Sequence, residues 1–266
     1  MPKPRMPVEI EFQTKLSSRP DAIRKKQELF VGKRKAQVAN GRVYIGYAHF
    51  EGAGKKRVII KEVNLEHLSR NKNFLQTFRF FKELNFTLTP ELFAEVYNQT
   101  IIDLRNSGLN LPKMFAVVKD GKILIISQHF GNALRKSKFV RYNFFEPLSP
   151  KELSSLLEIW EKVINANYIP SADLSEHFNG SFVPFDLDIQ VLVRLQFMAL
   201  RKANANFNPK ELFAQAFYQK YLQLKRIYSR TDFEPFFTEL LSRIKDPELV
   251  REILLLRIQG YGEIQK

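Results

Sequence analysis

The chain has 266 residues, 44% hydrophobic and 26% charged, and carries a formal charge of +14 with no cysteine. The apolar share argues against wholesale disorder, and the absence of cysteine excludes disulfides, Fe–S clusters, thiolate zinc sites and a cysteine nucleophile. Four scattered histidines (His49, His67, His129, His177) do not make a multi-histidine metal site, and no run of about 18 uncharged apolar residues suggests a membrane span. The first dozen residues, MPKPRMPVEIEF, lack the apolar core of a secretory signal. The expected location is the cytoplasm, with peripheral attachment to the inner membrane as the variant that the charge allows.

Residues 1–29 read as a basic arm, with a short helix at 20–29. Within the first 36 residues ten Lys and Arg face four acids, which favours an anionic partner without choosing among nucleic acid, a phosphorylated small molecule and an anionic membrane surface. A second basic cluster is Arg135, Lys136, Lys138 and Arg141, beside the aromatics of RYNFF at 141–145. From residue 30 the pattern turns to strands. LFVGKRKAQ (29–37) is a candidate strand, RVYIGYAHF (42–50) alternates, and RVIIKEV (57–63) is β-branched. Gly52 and Gly54 between the last two make a hairpin turn. Leu65 to Leu84 reads as one weak helix.

Thr89-Pro90-Glu91 opens a stronger helix, with a capping hydroxyl, proline in the first turn and an acid behind it, and Gly108 stops it. In MFAVVKDGKILIIS (114–127), Asp120-Gly121 between two apolar runs signals a two-residue hairpin. After Ser127 the composition turns helical. Ser149-Pro150-Lys151-Glu152 is a capping box, Asn208-Pro209-Lys210-Glu211 repeats the same grammar, and Asp246-Pro247-Glu248 is close to it. Strands crowd the first half and helices the second, so the fold class expected is α+β with two lobes, residues 30–130 and 131–266, and a hinge near 127–132.

Taken in order, Val58-Ile59-Ile60-Lys61, the helix bearing Glu95, the hairpin ending in SQHFG, the segment YIPSADLSEHFNG (168–180) and then VPFDLD (183–188) resemble the protein-kinase-like fold. The likeness is greatest to its small bacterial branch of aminoglycoside-phosphotransferase, RIO-type and lipopolysaccharide-kinase-type enzymes, and covers roughly residues 30–190. It implies a bilobal kinase-like architecture and an ATP- and magnesium-dependent transfer of a phosphoryl group to a small-molecule or lipid-linked hydroxyl. In that scheme Lys61, held by Glu95, grips phosphates. Asp173 orients or deprotonates the acceptor hydroxyl. Asp186 binds Mg2+ with Asn179 as helper and Asp188 in support, and the adenine rests on the hinge at Gln128, His129 and Phe130. Transfer of this kind needs positioning and charge neutralisation more than covalent chemistry. The partners implied are a nucleotide and an anionic acceptor, with a membrane surface as an accessory.

Ser171 stands two residues before Asp173 where the family often has histidine. Phe178 takes the position five after it, and no G-x-G-x-x-G loop precedes Lys61. The interval from Asp173 to Asp186 is short, as though a small hairpin had been trimmed. These departures carry the alternative of a pseudokinase scaffold without turnover. The charge carries a third reading, a basic nucleic-acid-binding protein, with nucleic acid ranked below the nucleotide as partner.

Overall fold

The computed structural model describes residues 7–15, 42–50, 54–70, 74–111, 113–128, 147–170, 176–178, 181–183, 187–203 and 206–260. The expected helix at 20–29, the candidate strand at 29–37 and the basic cluster with RYNFF lie outside them. The chain is mixed α and β and divides into two compact units, Met1–Ile101 with Pro112–Lys136, and Ile102–Leu111 with Ser137–Lys266. The sequence put the change of lobe at 130–131. The units change at 136–137, and the stretch 102–111 counts with the second.

The first unit holds one antiparallel sheet of five strands: β1 (Pro7–Lys15), β2 (Arg42–Phe50), β3 (Gly54–Val63), β4 (Met114–Lys119) and β5 (Lys122–Gln128), in the spatial order β1-β2-β3-β5-β4. Strand β1 corrects the arm read over 1–29. PVEIEFQTK alternates apolar and polar residues, and it pairs with β2 through Ile10 opposite Ala48. The β2–β3 hairpin was legible and has Ile45 opposite Ile59. So was the β4–β5 hairpin, where Asp120 and Gly121 take φ of 51° and 69°, the two positive values that a type I′ turn needs. One sheet face gathers Ile10, Ala48, Val58, Ile60, Leu124 and Ile126 into a buried cluster. The single weak helix expected over 65–84 is two, α1 (Leu65–Arg70) and α2 (Leu75–Glu83).

Helix α3 (Pro90–Asn106) starts as read, with the Thr89 hydroxyl accepting from the Leu92 amide. Its buried face is Phe93, Val96, Tyr97, Thr100, Ile101 and Leu104. Half-buried Asn98 turns to the edge strand β4. Its Nδ2 donates to the Ala116 carbonyl at 2.8 Å, and its Oδ1 accepts from the Ala116 amide at 2.7 Å. One side chain thereby satisfies both outward backbone groups of a fully buried edge residue.

The second unit is built from α4 (Pro150–Asn165), α5 (Asp188–Lys202), α6 (Pro209–Ile227), α7 (Glu234–Arg243) and α8 (Pro247–Ile258), with a small hairpin of β6 (Glu176–Phe178) and β7 (Ser181–Val183). The Ser149 box closes as written: the Ser149 hydroxyl accepts from the Glu152 amide and the Glu152 carboxylate accepts from the Ser149 amide. Asn208 and Asp246 cap α6 and α8 from one side only, each side chain accepting from two amides of the first turn. Trp160 of α4 is fully buried, edge-on to Phe217 of α6 and Phe236 of α7, each with centroids 5.8 Å away. Burial pushes the Tyr221 phenol in this aromatic core well above its ordinary pKa. No helix among the described residues is long and apolar enough to cross a membrane.

Two substitutions test this framework. A Cβ on Gly46 would lie 2.1 Å from the Glu11 carbonyl oxygen and 2.6 Å from Ile60 Cδ1. Gly46→Ala is therefore expected to destabilise the protein by about 1–3 kcal/mol in urea titrations. Asn98→Leu deletes both bonds to Ala116 and is expected to cost about 1–3 kcal/mol, with faster hydrogen exchange of the Ala116 amide as the local sign.

Candidate functional site

Lys61 lies in β3, opposite Val43 on one side and Ile125 of β5 on the other, with its side chain half-buried on the face away from Ile60. Glu95 sits on the solvent side of α3, and no ion pair joins it to Lys61 among the described residues. Gln128 closes β5, opposite Val58. Asp188 opens α5. His129, Phe130, Ser171, Asp173, Asn179 and Asp186 lie outside the described residues.

The chain between Asp173 and Asp186 contains a hairpin of two three-residue strands. Glu176 pairs with Val183, His177 with Phe182 and Phe178 with Ser181. Phe178, read as filling a metal-ligand position, is a strand residue. The signal lay in Asn179-Gly180, the dipeptide that favours a two-residue hairpin turn, between His-Phe and Ser-Phe-Val.

Within the second unit, a cavity of about 640 Å3 opens against one face of α5. Two helical faces account for it. Val191, Leu192, Leu195 and Ala199 are buried in the core. Gln190, Arg194, Phe197 and Arg201, spaced four, three and four apart, form a second stripe that lines the cavity together with Val193 and Met198. The facing wall comes from the starts of α6 (Pro209, Lys210, Phe213) and α8 (Asp246, Leu249).

The segment Ala166–Ile169 borders it at the end of α4. There Asn167 takes φ of 62°, the Asn167 amide donates to the Ile164 carbonyl and the Tyr168 amide to that of Val163. This is a Schellman turn, which ends the helix and points the chain back along it. Asn165 fixes the far wall. Its Nδ2 donates to the Arg243 carbonyl and its Oδ1 accepts from the Lys245 amide, next to the Asp246 cap.

The polar groups of the cavity are mostly spoken for. Asp103 accepts from the Tyr168 hydroxyl at 2.7 Å and from Arg194 Nη1 at 2.6 Å, and Arg194 also reaches the Tyr168 hydroxyl. Lys210 bonds Asp246 at 3.0 Å and also Glu248. The two carboxylates, Glu248 foremost, hold the Lys210 ammonium above its ordinary pKa, and Lys210 draws Asp246 below the ordinary carboxylate value. Gln190 donates to the Ile169 carbonyl and is almost completely buried. Arg201 is exposed and has no partner among the described residues. Sequence reasoning passed over this stripe, whose one signal is two arginines and a glutamine at helical spacing beside an uninterrupted apolar face.

In the first unit Glu9, Glu11 and His49 place one ligand atom each within 4.8 Å of one another. Both Glu11 oxygens are occupied, one 2.8 Å from His49 Nε2 and the other accepting from Lys55 at 2.6 Å. This arrangement ties β1 to β2 and the start of β3, and an ammonium at that distance opposes a cation. No protein-family model matches the chain, and no curated protein matches it in sequence.

The Lys55 and His49 bonds, in that order, pull Glu11 below its ordinary pKa. A carboxyl whose folded pKa is depressed stabilises the fold above its unfolded pKa and loses that contribution as pH falls through the depressed value. Glu11→Gln is therefore expected to lower the urea midpoint at pH 7 and to flatten its decline between neutral pH and pH below about 4, as measured by denaturation at both ends.

Proposed function

We propose that the chain is a kinase-like phosphotransferase that uses ATP and magnesium to phosphorylate a small or lipid-linked hydroxyl acceptor. The observation that carries this reading is the position of β5 beside β3. The strand bearing Lys61 is followed by helices α1 to α3, then by β4, and β5 returns next to Lys61 with Ile125 as its partner. That is the connection the resemblance asks of a lysine strand, an intervening helix and two strands that lead into the hinge. A capped helix, α4, and a hairpin set between Asp173 and Asp186 add support further along.

On this reading Lys61 takes charge from the nucleotide phosphates, and Asp173 accepts the proton of the attacking hydroxyl. Asp186, Asn179 and Asp188 offer oxygen donors, the set that magnesium takes, and the ion when bound neutralises phosphate charge. The missing G-x-G-x-x-G loop before Lys61 and Ser171 two residues before Asp173 favour a second reading: a pseudokinase scaffold without turnover.

Thermal unfolding with ATP, with and without magnesium, tests the first reading. A magnesium-dependent rise in Tm, absent in Asp186→Ala and reduced in Lys61→Met, is expected. No shift in the wild type, or an equal shift in Asp186→Ala, removes the phosphotransferase reading. Release of phosphate from ATP that Asp173→Asn abolishes selects the enzyme. Stabilisation without release selects the scaffold.

A further inference from the structure

We infer that the α5 cavity is a binding site for a small organic anion with an apolar body, its negative group held by Arg201 and its body lying on Phe197, Met198 and Phe213. The inference rests on the second unit alone and does not depend on the phosphotransferase reading.

Its volume of about 640 Å3 falls within the range of small-molecule sites, roughly 300–1,000 Å3. Its lining is mixed: apolar side chains from α5, α6 and α8 share it with about as many polar and charged ones. The charges decide the sign of the ligand. The two acids that line the cavity, Asp103 and Asp246, are each bonded to a cation, Arg194 and Lys210. Arg201 has no partner among the described residues. A cationic ligand drawn to either carboxylate would have to break an existing pair, and the one acceptor left open, Gln190 Oε1, carries no charge, whereas an anion pairs with Arg201.

Helical geometry decides the shape. Phe197 lies four residues before Arg201 on the same stripe, and each residue rises about 1.5 Å. The guanidinium therefore stands roughly one turn beyond an apolar floor. An anion attached directly to a ring system spans that distance. A bare inorganic anion would leave the floor empty, and a neutral apolar molecule would leave Arg201 unused.

The test uses two fluorescent probes of similar shape, the anionic 1-anilinonaphthalene-8-sulfonate and the uncharged N-phenyl-1-naphthylamine, titrated into the full chain. The sulfonate is expected to bind saturably. Its affinity should fall at least about tenfold in Arg201→Gln, the worth of one charge-assisted hydrogen bond, and further in Arg201→Glu. The uncharged probe should bind all three proteins equally. Arg201 is exposed, so neither substitution threatens the fold, and Val193→Trp is expected to exclude both probes by filling the cavity. Because the chain has 42 Lys and Arg, diffuse attraction of the sulfonate would barely notice the loss of one. Unchanged sulfonate affinity in Arg201→Glu overturns the inference, as does equal loss of the uncharged probe, or binding that never saturates.

Discussion

Backbone groups that neither a ladder nor a helix can pair must still be paired, and twice in this protein one asparagine amide does it. Asn98 takes the amide and carbonyl of Ala116 on the outermost strand of the sheet. Asn165 takes a carbonyl and an amide from the link between α7 and α8. An amide side chain offers a donor and an acceptor about as far apart as those of a neighbouring strand, so it can stand in for one. The first bond pair satisfies the outward groups of Ala116 at the centre of the β4 edge, where an open strand leaves them unpaired. The second fixes the backbone just ahead of the Asp246 cap, and through it the start of α8 and one wall of the cavity.

Around those two anchors each unit is held by different forces. The sheet is organised by alternation, with Ile10, Ala48, Val58 and Ile60 on one face, and its outer strand is tied down by the Glu11 contacts to His49 and Lys55. The helical unit is organised by aromatic packing, with Trp160 edge-on to rings from two other helices, and its polar residues collect along the α5 stripe. Asp103, Tyr168 and Arg194 form a closed network there, in which each partner satisfies another. Arg201 stands outside any such network among the described residues, which gives the cavity its sign.

Local chemistry was the part that could be read directly. Asp120-Gly121 fixed a turn, because positive φ at both centres leaves few other conformations. The three caps at Ser149, Asn208 and Asp246 marked helix starts, because a short polar side chain before proline satisfies amides that the helix leaves open. Asn179-Gly180, between His177-Phe178 and Ser181-Phe182-Val183, is the same kind of local signal. Strand β1 was hidden by its lysines and prolines, whose charge and punctuation outweighed the alternation of Val8, Ile10 and Phe12.

The sequence by itself determined the turns, the caps, the core stripes of the helices and the division into an early sheet and later helices, because each depends on residues within a few positions of one another. Tertiary structure decided the rest. It set β5 beside β3, turned Glu95 outward and Asn98 toward an edge strand, and joined residues from Asp103 to Leu249 around one cavity. Those outcomes depend on which distant faces meet, and no local pattern records them: a helix position that points to solvent and one that points to a ligand differ only in what the rest of the chain places opposite.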